Sequence, residues 1–157
     1  MKIEVCSFSE LEAVVRLLIA QMREHRVRAD PARLREVIAM VKAEDRYGFI
    51  LVAKDAGSVV GVAYVAAILS IEHGGRVGWL EELYVSPARR GKGIGAALLK
   101  AALNCARQTG MVAIDLEVDV GHRRAESLYR RAGFHSLPRS RWARRLQPED
   151  LGDRIDA

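Results

Sequence analysis

Apolar and polar positions alternate with two different periods along this chain, and the switches between them mark out its elements. Residues 2–7 read as a short strand. Ser9 and Glu12 have the spacing of a capping box, and behind them Leu11, Val14, Val15, Leu18 and Met22 recur at helical intervals. Asp30-Pro31 is a cap followed by proline at the first helical position, and Leu34, Val37, Ile38 and Val41 give a second amphipathic helix. Residues 49–54 and 58–69 read as strands joined by the hairpin signal Asp55-Ala56-Gly57. A loop with Gly74-Gly75 leads to a fourth strand over 78–85. A glycine-rich segment follows, then a helix striped by Ile94, Ala97, Leu98, Ala101 and Cys105. The pattern closes with a fifth strand over 112–118, a short helix over 122–132 and a last strand over 139–146, with Trp142 and Leu146 facing inward.

That order predicts an α/β protein with a mixed, mostly antiparallel central sheet covered by helices. With 157 residues, half of them hydrophobic and 29% charged, the composition is that of one ordinary globular domain. The domain is expected over 1–146, with an acidic tail over 147–157. Cys6 and Cys105 form no CxxC or Cys/His cluster, and Cys105 on its helix stripe reads as a buried reduced thiol. Glu4, Glu10 and Glu12 interrupt any apolar leader, and the longest apolar stretch, residues 59–69, is too short to span a bilayer as a helix. The expectation is a cytoplasmic protein.

Charge changes the picture through its placement. Residues 1–82 hold eleven Lys/Arg against twelve Asp/Glu. Residues 83–111 hold Arg89, Arg90, Lys92, Lys100 and Arg107 with no acid, and 121–146 hold eight arginines against Glu126 alone. A partner carrying phosphates is implied. The basic half begins where Arg90-Gly91-Lys92-Gly93-Ile94-Gly95-Ala96 stands between a strand and a helix. Three glycines let the backbone approach a ligand, and the helix start adds unpaired N–H groups and a positive dipole end. Together they make a phosphate cradle.

The cradle lacks the Ser or Thr of a P-loop. Gly91, Gly93 and Ala96 fit a dinucleotide fingerprint, with Asp115 and Glu117 downstream, but residues 86–90 separate it from its strand. A nicotinamide-dependent oxidoreductase is therefore a weaker reading. A nucleic-acid-binding module is the other alternative, through Arg123, Arg124, Arg130, Arg131, Arg139, Arg141, Arg144 and Arg145. Among the late arginines only Trp142 is interleaved, which is thin for a stacking surface.

Arg90-x-x-Gly93-x-Gly95, preceded by Leu83-Tyr84-Val85-x-Pro87, resembles the acetyl-coenzyme A signature of the GNAT acetyltransferase superfamily. Ala125-x-x-x-Tyr129-x-x-x-Gly133-Phe134 resembles that family's second motif. The resemblance implies a GNAT-like fold over nearly the whole chain, acetyl-CoA as cosubstrate and an amine acceptor. It implies a pantetheine arm along the fourth strand, against Leu83, Tyr84 and Val85, and a pyrophosphate on Arg90, Gly91, Lys92, Gly93, Ile94, Gly95 and Ala96. Ala125 belongs to the same cofactor set. Where the family usually has Asn, this chain has His122, which either replaces that hydrogen bond or caps the helix. Homodimers are common in such folds.

Acetyl transfer needs a neutral amine, so a base must take a proton from a group whose pKa is about 10.4 in a lysine-like amine. Glu81 and Glu82 stand in the otherwise apolar run Trp79-Leu80-Glu81-Glu82-Leu83-Tyr84-Val85. Strand alternation sends them to opposite faces, Glu81 with Leu83 and Val85, Glu82 with Leu80 and Tyr84. The segment is similar to the Leu-Glu-Asp stretch of diamine acetyltransferases, which makes Glu81 the candidate base and leaves Glu82 structural. Tyr129 is either a core tyrosine on its helix stripe or, by the motif, the acid that protonates the thiolate. His73 either lines the acceptor site or is solvated. No cluster has metal-ligand spacing. The acceptor stays open among polyamine-like small amines, towards which the Glu81 segment leans, aminoglycosides, and peptide N-termini, since Leu116-Glu117-Val118 resembles enzymes that acetylate ribosomal-protein N-termini.

Overall fold

A computed structural model of the chain describes residues 1–144 and residue 146. β1 (Lys2–Val5) is followed by α1 (Leu11–Glu24) and α2 (Pro31–Ala43). Then come β2 (Gly48–Asp55), β3 (Ser58–Ser70), β4 (Gly75–Val85), α3 (Ile94–Gln108), β5 (Ala113–Leu116) and α4 (Arg123–Arg131). Strands lie in chain order in one five-stranded sheet, antiparallel from β1 to β4 and parallel between β4 and β5. The expected mixed, mostly antiparallel sheet is what forms.

Both faces are covered. Val14, Val15 and Leu18 of α1 and Ile38 and Val41 of α2 pack with Ile50, Val52, Val62 and Tyr84 on one side. Ile94, Leu98, Leu99, Ala102 and Ala106 of α3 pack with Leu51, Ala63, Val65, Leu80 and Val85 on the other. The stripe of α3 thus lies one position round from the expected one. Leucine pairs bury more apolar area than alanines do, so Leu98 and Leu99 face the sheet. Ala97, Ala101 and Cys105 sit half-buried beside them, which corrects the buried-thiol reading of Cys105. In α2, Val37 likewise points away, 52% exposed.

Two ends differ from expectation. The capping box uses Ser7 and Glu10, with the Ser7 N–H donating to Glu10 Oε2 at 2.7 Å, so a 3₁₀ turn precedes α1. Lys54 reaches Glu10 from β2 as an ion pair. At the other end, the described part of 139–146 forms no strand. Trp142 is 91% exposed and Leu146 90%, so neither faces inward. The extended residues there are held by side chains instead, with Arg139 on Glu72 at 2.7 and 3.1 Å and Arg141 on Glu117. Arg145 and residues 147–157 lie outside the described set. No described helix is long and apolar enough to cross a membrane.

Candidate active site

The site is built on β4, and one extra residue shapes it. Against β3, Tyr64 pairs with Glu82 and Val65 with Leu80, so Glu81 is left without an opposite number. Such a bulge bends its strand and breaks the alternation of faces. Leu80, Leu83 and Val85 pack on the α3 side while Tyr84 packs on the α1–α2 side. Glu82 accepts a hydrogen bond of 2.5 Å from Gln21 Nε2 on α1. Glu81 lies within electrostatic reach of Tyr64, in the α1–α2 core, and of Arg141, which stacks 4.9 Å from the Trp79 ring. Both acids therefore lean to the α1 side. The expected pairing of Glu81 with Leu83 and Val85, and of Glu82 with Leu80, is corrected by the bulge.

The bulge also opens the sheet. β5 pairs with β4 only over Val77–Leu80, so among the described residues β4 has no strand on that edge from Glu81 onward. The Ser86 N–H donates to Val60 O on β3. Alternation then turns the peptide groups of Leu83 and Val85 to the opposite, open edge. At the end of that edge lies the glycine-rich loop. Gly91 and Gly93 have φ of 78° and 77°, where an L side chain is strained. A Cβ at either would meet nothing within 4 Å, so the glycines serve the backbone path and leave the space above it open. Gly93 caps α3, and the first helical bond runs from the Ala97 N–H to Gly93 O at 3.0 Å. The N–H groups of Ile94, Gly95 and Ala96 are the unpaired ones. The Ile94 side chain is buried beneath them in the core.

Of the three cations near this loop, two are tied. Arg89 Nη1 meets Asp55 Oδ2 at 2.6 Å. Arg90 Nη2 donates to both Glu24 oxygens at 2.8 Å, its Nε donates to Val85 O at 2.8 Å, and its guanidinium lies 5.1 Å from the Tyr84 ring. No described carboxylate pairs with Lys92, which is exposed.

β5 parts from β4 after Leu80, leaving a wedge, and α4 follows β5 in the chain. Gly121 and His122 lead into it, and the His122 side chain does not cap it, which removes one of its two expected roles. Ala125 is half-buried on the first turn. Tyr129 packs against the α3-side core, edge-on to Phe134 at 5.8 Å, and its phenol is pushed up first by burial and then by the charge of Glu82. It therefore keeps its proton at neutral pH and carries it near the bulge. Glu81 is open to solvent on one side and crowded by protein on the other. That crowding raises its pKa, and Arg141 offsets part of the rise. Tyr64, its neighbour, is raised by burial and by Glu81 itself.

A cavity of about 270 Å³ opens at the start of β4 and the turn before it, lined by Ile68, Glu72, His73, Trp79, Asp115 and Arg139 among others. His73 Nδ1 is 2.9 Å from Ser70 Oγ, in the turn between β3 and β4. Among the described residues no group of three or more His, Cys, Asp or Glu is placed to hold a metal ion.

Comparison with known proteins places this arrangement. The model of the acetyltransferase (GNAT) family matches residues 11–134. The chain belongs to the GNAT family. It is 30% identical over 122 residues to the uncharacterized N-acetyltransferase YhfO of Bacillus subtilis, covering 78% of this chain and 82% of that one. It is 35% identical over 78 residues to an aminoalkylphosphonate N-acetyltransferase of Salmonella typhimurium, covering 50% of this chain and 51% of the relative. The fold also matches a predicted acetyltransferase from Clostridium acetobutylicum solved with acetyl-CoA, with a TM-score of 0.76 at 17% identity over 91% of this chain and 95% of that one. This GNAT chain is an acetyltransferase, and acetyl transfer to amines is its general chemistry.

The residues that sequence reasoning did not reach are Glu24 and Gln21. Both lie on the last turns of α1, sixty-odd positions from the strand and loop they serve. No local pattern marks them.

Proposed function

We propose that this chain transfers the acetyl group of acetyl-CoA to a primary amine by direct attack. The Ile94–Ala96 amides, the path through Gly91 and Gly93 and the free cation of Lys92 suit a pyrophosphate. The open edge at Leu83 and Val85 suits the amide groups of a pantetheine arm, as strand addition. The observation that carries the reading is the bulge, which sets Glu81 where that open edge begins. The Glu81 carboxylate takes a proton from the ammonium of the acceptor, directly or through water. The neutral nitrogen attacks the thioester carbon, a C–N bond forms and the C–S bond breaks. The departing thiolate takes the phenolic proton of Tyr129, and the second proton of the attacking nitrogen passes through water to restore the phenol.

The acceptor is a small polyamine-like amine, with a peptide N-terminus as the second case. Among the described residues, Glu72, Asp115, Glu117, Glu81 and Glu82 stand around the cavity and the bulge, against Arg139 and Arg141. This surplus of acid favours a cationic acceptor, in a chain whose net charge is +5. Trp79 adds an apolar wall for its carbon chain. The Gln21 Oε1 atom, buried with no hydrogen-bond partner among the described residues, is a further acceptor for an ammonium donor. The test is a panel of amines and N-terminal peptides, followed by release of free CoA thiol. Release with short diamines and not with neutral-tailed amines is expected. No release with any amine, and no binding of acetyl-CoA, would overturn the reading.

Tyr129→Phe keeps the ring and its contact with Phe134 and removes the hydroxyl alone. The expected result is a kcat lower by about tenfold to a thousandfold, because water replaces the acid only in part. The dissociation constant for acetyl-CoA stays near wild type. An unchanged kcat with chemistry rate-limiting would leave water as the acid.

A further inference from the structure

Arg90 occupies the motif position where a cation would be assigned to the pyrophosphate, yet its side chain is spent elsewhere. Its Nε donates to Val85 O at 2.8 Å, and one terminal nitrogen is shared by both oxygens of Glu24 at 2.8 Å. Glu24 Oε1 also accepts the Tyr84 hydroxyl at 2.6 Å, and the Tyr84 ring lies 5.1 Å from the guanidinium. These hydrogen bonds, that from Tyr84 first and that from Arg90 second, lower the Glu24 pKa. The four groups come from the end of α1, the end of β4 and the loop, and they close on one another.

We propose that Glu24 is a positioning residue for cofactor binding, and that Arg90 acts on the strand edge and not on the phosphates. The proposal rests on the acetyl-CoA reading above. Held by Glu24, the planar guanidinium fixes the Val85 carbonyl and the chain that turns from it into the loop. The amides of Ile94–Ala96 and Lys92 are thereby aimed at one point. Glu24 never touches the cofactor. Its partner on the neighbouring position, His25, stands 3.8 Å from Asp119 in the loop before α4, so the same helix end also reaches the far bank of the wedge.

This assignment and a simple electrostatic one predict opposite signs. If Arg90 were a charge on the pyrophosphate, lysine would serve nearly as well, and deleting the Glu24 carboxylate beside it would strengthen anion binding. If Arg90 positions, lysine fails, because an ammonium lacks the planar fork that serves Val85 and Glu24 together. The experiment measures acetyl-CoA dissociation constants calorimetrically, with kcat at saturating cofactor, for Glu24→Gln, Arg90→Lys, Arg90→Ala and the Glu24→Gln/Arg90→Lys double variant. Each single change is expected to weaken cofactor binding by about tenfold, with kcat within about twofold of wild type. The double variant should be no worse than either single one, since both break one unit. Tight binding by Arg90→Lys, or tighter binding by Glu24→Gln, would overturn the proposal. A fall in kcat with unchanged affinity would overturn it as well. Failure of the wild-type protein to bind acetyl-CoA would instead sink the reading on which it rests. A Glu24→Asp variant guards against misfolding, and its shorter carboxylate should restore part of the lost affinity.

Discussion

Gly93→Asp abolishes acetyl-CoA binding while leaving a folded protein. Three costs act together at this position. An L residue at φ of 77° is strained by roughly 1–2 kcal/mol. The new side chain fills the space that the glycine leaves open, where a Cβ meets no protein atom within 4 Å. Its carboxylate sits at the helix start, where it takes the α3 amides itself and repels the pyrophosphate. The core beneath is untouched, because Ile94, Leu98 and Leu99 keep their places. Calorimetry on a variant with a wild-type circular dichroism spectrum is the check. Gly93→Ala separates the terms, since it carries the backbone strain without the charge and is expected to bind weakly. Wild-type affinity in folded Gly93→Asp protein would move the cofactor away from this loop.

Glu81→Gln lowers kcat/KM at neutral pH by about a hundredfold to ten-thousandfold, the range that a positioned base supplies. The pH profile carries more information than the single rate. Glu81 must be ionised to act, and crowding raises its pKa. The acid limb of the wild-type profile therefore lies above the ordinary carboxylate range and disappears in the variant. What remains rises with pH as the amine deprotonates in solution, so the loss shrinks in alkali. Stability moves the other way. A carboxyl whose pKa is raised by folding stabilises the fold while protonated, and that contribution is lost as pH rises through the folded value. At neutral pH the variant is relieved of a crowded charge, and its Tm does not fall. Glu82→Gln is the control, since its bonded partner is Gln21 and its effect on turnover should be smaller. A larger loss at Glu82 would exchange the roles of the two acids.

What the chain reveals without its structure divides by range. The glycine-rich loop was legible because its chemistry is local: three glycines, neighbouring cations and a helix start lie within seven positions. The order of strands followed from hydrophobic periods and turn residues, and the Asp30-Pro31 cap is where it was expected, with Asp30 Oδ1 accepting from Ala32 N–H at 2.9 Å. Faces were less legible. Whether Ala97 or Leu99 looks inward in α3 depends on the sheet it packs on, and an alanine-rich stripe does not declare its phase. The bulge at Glu81 was invisible because register belongs to two strands, and nothing within β4 says that Tyr64 will pair with Glu82 and Val65 with Leu80. Glu24 was out of reach for the same reason, since its partner Arg90 is 66 positions away. The failed last strand is a different case. Trp142 and Leu146 have strand spacing, but ion pairs to Glu72 and Glu117 fasten the neighbouring arginines, and the two apolar side chains remain in solvent.

The seam between β4 and β5 is four residues long, while β3 and β4 pair along ten positions. Cooperative units in a protein open where such pairing is shortest. β2, β3 and β4 form a meander of neighbouring strands, and amide hydrogens there exchange only through global unfolding. β5 and α4, with Tyr129, are fastened by the short parallel seam and by the apolar contacts of Ile114, Leu116 and Leu128. Like β1, whose pairing with β2 is also four residues long, they form a unit whose amides should exchange through a cheaper opening than those of the meander. A ligand lodged in the wedge touches both sides of that seam. On the acetyl-CoA reading proposed above, the cofactor is expected to slow exchange in residues 113–131 more than in β2 and β3, so that this half of the fold is completed by the ligand it helps to hold.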